Sequence, residues 1–400
     1  MPTKPNSQRT VVELREYESA LVRCTQSTAA SIAHDGHVRI SPAGGLDCYE
    51  LHARSKVGIL LYPGLEIRIV PKVPVSRLLY LACHANGYED GWKEVEALLD
   101  SVNDPLSAVA HALVFHTERA LRPTPLKGYV THEAAEMRVR GRLLFDRQIS
   151  SRAGVLLPAE LRFDEFELGI DENRVLKAAL LIVNRFVQDR YLSARLRHSI
   201  SALDGVVPWQ VGKPVPDFTF NRLNERYRGS LRLAKLVLDR QSIEYPDRHT
   251  SGTAFLFNMN TVFEAYLGSA VREVIEAKYG GRIHEQYPLT LDRGDSLKMN
   301  PDILWIRDGL PLAVIDAKYK LVKNDNYPNA DAYQMLAYCT RLGLRRGFLV
   351  YADLSGGTRS AATIRNAGIE LHTTSICLDG SIDDLKASVD GVVQLVSRDI

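Results

Sequence analysis

The sequence predicts a multidomain protein of mixed α+β and α/β class, with a small β-rich N-terminal module, a largely helical middle region and a C-terminal α/β core. Three patterns carry this reading. Short alternating apolar runs as far as about residue 73 read as strands. From about Trp92 to Arg240 apolar residues recur mostly at helical spacing. Beyond residue 250, helical and strand-like runs follow one another in the order helix, strand, hairpin, helix, strand, strand. The boundaries drawn from these patterns are 1–90, 91–250 and 251–400. A chain of 400 residues exceeds one small core and has ample length to bury two or three.

Composition excludes several classes. The 45% apolar and 24% charged residues are those of an ordinary globular protein. With a net charge of only +2, no global field draws the chain onto nucleic acid, so a DNA-binding surface would be a local basic patch. Five cysteines (Cys24, Cys48, Cys83, Cys339, Cys377) form no C-x-x-C pair, which argues against a disulfide framework or zinc ribbon and fits a reducing cytoplasm. The opening MPTKPNSQRT has no apolar targeting segment, and no run reaches the roughly 18 apolar residues of a membrane span. A cytoplasmic protein without membrane contact is expected.

In the N-terminal module, strands are expected at Val11 to Tyr17, His37 to Ile40, Asp47 to Ala53, Val57 to Leu61 and Glu66 to Val70, the last two joined by a Pro63-Gly64 turn. Pro71 and Pro74 end the last strand, because proline cannot donate to a ladder, and Ser76 to Ala85 then reads helical. In the middle region Asp104-Pro105 opens a helix through Arg119, with proline at a first helical position. A polar strand is expected near Glu136 to Arg142, and a helix over Arg174 to Tyr191. Arg138, Arg140 and Arg142 would share a strand face; Arg222, Arg226, Arg228 and Arg232 would run along a helix. Such charges form either a solvated face or a surface for DNA backbone or a partner. A polar loop, Gln241 to Thr250, precedes the core.

The core reads as a helix from Phe257 to Tyr279, a strand from Arg282 to Leu291, a hairpin, a helix from about Asp331 to Arg341, strands at Gly347 to Tyr351 and near Ile369 to Thr374, and a last helix from about Ile382 to Val396. The hairpin organises the rest. Two β-branched runs, Ile303 to Ile306 and Leu312 to Ile315, flank Asp308-Gly309, a dipeptide that accepts positive φ in a tight turn. Folding about that turn brings Asp302 within about one residue of lying opposite Asp316. Lys318 leaves the second strand on the same face as Asp316, while Ala317 points away and offers its backbone carbonyl. Two facing carboxylates with an ammonium beside them suit a hard, oxygen-seeking cation. On spacing alone, the same residues also read as solvated charges at strand ends.

Further residues single out the first reading. Pro301-Asp302 with Asp316-Ala317-Lys318 resembles the PD-(D/E)xK nuclease signature, and the order of elements resembles that core. Asn258 to Tyr266 (NMNTVFEAY), Asp316 to Lys320 (DAKYK) and Asp331 to Tyr338 (DAYQMLAY) resemble the C-terminal half of the McrC family, the nuclease subunits of McrBC-type restriction systems. Gly64 to Val73, Gly141 to Phe145 and Asp164 to Asn173 resemble the same family more loosely.

The resemblance implies a Mg²⁺-dependent endonuclease, with Mn²⁺ as substitute, that cleaves double-stranded and modified DNA in defence against foreign DNA. Asp302, Asp316, the Ala317 carbonyl and Glu264 would hold the metal. Lys318 would stabilise transition-state charge, with a pKa depressed enough to exchange a proton with water. Gln334 and Tyr338, four apart on one helical face, resemble the Q-x-x-x-Y element of RecB-like nucleases, which contacts DNA or orients the lysine. Tyr319 and Lys320 would help to contact DNA backbone.

The partner implied is a McrB-like AAA+ GTPase hexamer, docked on the N-terminal module and the middle region. This chain has no G-x-x-x-x-G-K-[ST] of its own, since Gly212-Lys213-Pro214 lacks the loop and the hydroxyl. No G-x-S-x-G or H-E-x-x-H is present, and the scattered histidines read as structural. Two other readings remain open at this point: a stand-alone PD-(D/E)xK nuclease, and a non-catalytic adaptor of a AAA+ NTPase.

Overall fold

The computed structural model describes residues 9–85, 104–122, 124–243, 253–320, 329–354 and 359–398. It divides into two compact units, one formed by Met1–Ala108 with Asp247–Ile400 and the other by Val109–Pro246. Most of the expected 241–250 loop lies outside the described residues.

The first unit opens with β1 (Thr10–Arg15), β2 (Ser19–Arg23), α1 (Gln26–Asp35), β3 (Arg39–Pro42), β4 (Cys48–His52), β5 (Lys56–Tyr62), β6 (Leu65–Val70) and α2 (Val75–His84). Helix α1 was not expected. Its start is set by Thr25, whose side chain accepts from the Thr28 N–H, and its end by Gly36 at φ 66°. The expected Pro63-Gly64 turn joins β5 to β6, with Gly64 at φ 75°.

The second unit follows α3 (Pro105–Leu121) with β7 (Gly128–Glu136), β8 (Arg142–Leu143), α4 (Phe145–Arg152), β9 (Ala159–Glu167), α5 (Asp171–Asn184), α6 (Arg190–Ser201) and α7 (Arg228–Ile243). Strands order as β7-β9-β8. A buried polar hub ties the unit together: Asn173 Nδ2 donates to the Leu126 and Leu168 carbonyls at 2.7 and 2.9 Å, and the Tyr227 hydroxyl donates to Asn173 Oδ1 at 3.0 Å.

Three expectations for this unit are corrected. The strand lies earlier than Glu136 to Arg142, and residues 137–141 form the turn into β8, so Arg138, Arg140 and Arg142 share no strand face. The helix expected over Arg174 to Tyr191 is two helices, because Asp189 Oδ1 accepts the Leu192 N–H at 2.6 Å and starts a new one. Arg222 and Arg226 precede α7, and Arg226 is spent on the Arg122 and Thr124 carbonyls at 2.6 and 2.7 Å.

The chain then re-enters the first unit through β10 (Thr253–Asn258), which pairs antiparallel with β5 and completes a sheet ordered β1-β6-β5-β10. Where the sequence reading separates residues 1–90 from 251–400, this strand builds both into one sheet. Gly58 makes the pairing possible: at φ 134°, an added Cβ would lie 2.1 Å from the Phe255 carbonyl oxygen. Asn258 accepts the Asn260 N–H at 3.2 Å and starts α8 (Met259–Lys278).

After α8 come β11 (Arg282–Glu285), β12 (Leu289–Thr290), β13 (Lys298–Met299), β14 (Ile303–Arg307), β15 (Leu310–Lys318), α9 (Asn329–Leu342), β16 (Arg346–Asp353), β17 (Ser360–Ile364), β18 (Ile369–Cys377) and α10 (Ile382–Ser397). Six strands form a mixed sheet ordered β11-β14-β15-β16-β18-β17. The β14–β15 pair is antiparallel, whereas β15–β16 and β16–β18 are parallel. Met335, Tyr338 and Cys339 of α9 bury against Leu304, Val314, Leu349 and Leu371 on one face of the sheet. No helix among the described residues is long and apolar enough to cross a membrane.

Candidate active site

The hairpin turns as its residue types require: Asp308 and Gly309 sit at φ 53° and 78° between β14 and β15. Ile303 pairs with Ile315, so continuing the ladder by one residue places Asp302 opposite Asp316. Asp316 and Lys318 stand at the carboxyl end of β15, beside the parallel β16, which is where α/β sheets open a crevice for ligands.

The Asp302 carboxylate is held at both oxygens. The Ala317 N–H donates to Oδ2 at 2.8 Å, and Gln286 Nε2 donates to Oδ1 at 2.8 Å. Asp316 is 1% exposed, and the Lys318 ammonium lies 2.5 Å from its Oδ2. Lys318 Nζ also donates to Gln334 Oε1 at 2.9 Å, Gln334 Nε2 to the Tyr338 hydroxyl at 2.8 Å, and that hydroxyl to the Asn300 carbonyl at 3.1 Å. The i, i+4 spacing of Gln334 and Tyr338 therefore builds a bracket that fixes the lysine. Burial raises the Tyr338 phenol to about 12, so it stays a proton donor in this chain of bonds.

Three carboxyls share one environment. Burial and the Asp302 carboxylate push Asp316 up to about 6, against the pull of Lys318. Asp302 is raised by burial and by Glu264, with the Ala317 N–H and Gln286 opposing. Glu264, in the second turn of α8, is raised by burial and by Asp316. All three directions report negative charge crowded into a poorly hydrated place. Lys318 runs against expectation: burial pulls its pKa down, but Asp316 outweighs this, and the net direction is up, so the group stays an ammonium.

The structure brings Glu264, Asp302, Asp316, Ala317, Lys318, Gln334 and Tyr338 together. Tyr319 does not join them. It is 6% exposed and its hydroxyl donates to Glu16 Oε2 at 3.0 Å, because residues 317 and 319 share the strand face opposite Asp316 and Lys318. Lys320 is paired with Asp331 at 2.9 Å, and Asp331 also accepts from the Tyr351 hydroxyl at 2.9 Å. Sequence reading missed Gln286 and gave Asp331, quoted only within its motif, no site role; they lie 16 and 11 residues from their partners Asp302 and Lys320. Elsewhere among the described residues, His132, Glu165 and Glu167 in the second unit place ligand atoms within 4.8 Å of one another, but Glu165 pairs with Arg140 and Glu167 with His132.

Comparison with known proteins places the chain in a family. Residues 51–352 match the family model described as the McrBC 5-methylcytosine restriction system component. No curated protein matches the chain. Among solved structures, one from Thermococcus gammatolerans, a half-complex of McrB AAA+ hexamers with bound McrC, aligns with TM-score 0.64 and 16% identity over 96% of this chain and 100% of the other. A second structure, the McrBC complex of the same organism, aligns over 66% of this chain and 87% of the other, with 19% identity and TM-score 0.44. With three quarters of its length inside the family model and a fold like that of the McrB–McrC half-complex chain over 96% of its length, the protein belongs to the McrBC restriction system component family.

Proposed function

We propose that this chain is the metal-dependent endodeoxyribonuclease subunit of a McrBC-type restriction complex. It cuts foreign double-stranded DNA, modified DNA in particular, when engaged by a AAA+ GTPase hexamer whose GTP hydrolysis it stimulates. The observation that carries this reading is the buried Asp316, with half-buried Asp302 and Glu264 beside it, facing Lys318 at the carboxyl end of β15. An antiparallel hairpin that continues through α9 into a parallel strand supports a PD-(D/E)xK core.

The donor set fits a hard cation: the ligands on offer are carboxylate oxygens, and their raised pKa values mark charge that lacks compensation. Mg²⁺, or Mn²⁺ in its place, held by Asp302, Asp316, Glu264 and the Ala317 carbonyl would polarise the phosphodiester and acidify an attacking water. Lys318, fixed by Asp316 and by the Gln334–Tyr338 bracket, presents a compact positive charge to the developing phosphoryl charge. In the metal-free chain Asp316 holds its pKa up against burial, which suits an electrostatic role.

Partner engagement belongs to the N-terminal module and the second unit. The second unit exposes the large apolar side chains Tyr129, Met137, Phe145, Ile149 and Leu156, each about two thirds accessible or more, which suits contact with a protein partner. The test is cleavage of methylated and unmethylated plasmid by the purified chain with Mg²⁺, with and without the AAA+ partner and GTP. Cutting that requires metal, partner and GTP together is expected; cutting by the chain alone would remove the partner from the reading.

A further inference from the structure

Gln286 is an exposed residue just beyond β11 with an unusual backbone. Its φ is +48°, a left-handed conformation that costs an L side chain about 1 kcal/mol and is normally left to glycine or asparagine. Both of its polar arms go to the same residue: the backbone N–H donates to the Asp302 carbonyl at 3.1 Å, and Nε2 to Asp302 Oδ1 at 2.8 Å. The opposite oxygen of that carboxylate takes the Ala317 N–H at 2.8 Å. A carboxylate with one donor on each oxygen cannot rotate about its Cβ–Cγ bond, yet each oxygen keeps a free lone pair. Asp302 stands opposite Asp316 across the hairpin.

From this geometry we infer that Gln286 is a positioning residue for the metal site: its amide fixes the orientation of the Asp302 carboxylate. The inference rests on the reading of Asp302 and Asp316 as metal ligands. Partners that orient a ligating carboxylate change metal affinity by 10- to 100-fold. A solvent-exposed glutamine without this role would change it not at all.

The test uses the full chain and Mn²⁺, followed by its paramagnetic resonance signal and by titration calorimetry. Binding that disappears in the Asp302→Asn/Asp316→Asn double variant defines the site and subtracts any ion taken elsewhere, for instance by His132, Glu165 and Glu167. Gln286→Leu removes the amide and keeps the bulk, while Gln286→Gly removes the side chain and suits the left-handed backbone. Both are expected to weaken Mn²⁺ at this site about tenfold, with Gln286→Gly unfolding at the wild-type temperature or above. If both bind Mn²⁺ as wild type does while the double variant does not, the positioning role is overturned and the metal site stands. If wild type and double variant bind alike, the metal site fails and the positioning role falls with it.

Discussion

Acids face bases on paired strands in two regions of this protein, with opposite outcomes. In the second unit Glu133 is met by Arg162 at 2.5 Å and Arg147 at 3.1 Å, and Arg140 joins Glu136 to Glu165. These groups are partly solvated and matched in number, and the hydrogen bond from Arg162 holds Glu133 below the usual carboxylate range. At the end of the β14–β15 hairpin three acids face Lys318, Asp316 buried and Asp302 and Glu264 half-buried, and all three are pushed up. Matched, wet charges form a surface; unmatched, buried ones leave a deficit that a cation can fill.

Substitutions can break or sharpen this contrast. The largest effect is expected at Lys318→Ala and Asp316→Ala, which should reduce plasmid cleavage by the assembled complex by about 10³-fold or more, as removal of a charge-stabilising group does. Gln334→Ala and Tyr338→Phe loosen the bracket on Lys318 and should slow cleavage about tenfold while leaving Mn²⁺ affinity unchanged, a separation that cleavage rates and calorimetry together would reveal.

Stability should answer to pH with a definite sign. Asp316 binds its proton up to about pH 6 when folded and only up to its ordinary value when unfolded. Between those values the native chain holds more protons, so metal-free stability falls as pH rises through the window and stays lower above it. Asp316→Asn removes that loss and should stabilise the metal-free chain above pH 6, by on the order of 1–3 kcal/mol; denaturant unfolding from pH 4 to pH 8 would measure it. An unfolding free energy that does not diverge from wild type above pH 6 would deny the buried charge.

Smaller effects are expected away from the site. Tyr319→Phe removes a donor from the buried Glu16 carboxylate and should destabilise the chain by about 1–3 kcal/mol, with DNA affinity unaltered. Glu133→Gln, in the solvated web of the second unit, should leave metal affinity at the hairpin untouched and the unfolding temperature close to wild type.

The hairpin and its charged ends were legible because local signals suffice for them: Asp308-Gly309 demands one turn, and period two then assigns faces. The same period would have sent Tyr319 with Ala317 to the opposite face, a signal present but outweighed by its adjacency to Lys318. Strand β10 was hidden because Thr253–Asn258 (TAFLFN) is a continuous apolar run, buried on both faces, which carries no alternation and merges with the helix that follows. Gln286 could not be found from spacing, since its partner is 16 residues away and its use depends on the β11–β14 register. The break between α5 and α6 turned on a single cap, Asp189, inside an otherwise helical pattern.

The most direct measurement is cleavage of plasmid DNA by the assembled complex carrying either wild type or Asp316→Asn, at equal folded concentrations, with GTP and Mg²⁺ and then with excess chelator added. The account predicts nicking and linearisation by wild type with GTP and Mg²⁺, and none by Asp316→Asn or in chelator. Equal cutting by both proteins, or cutting that survives the chelator, would contradict it.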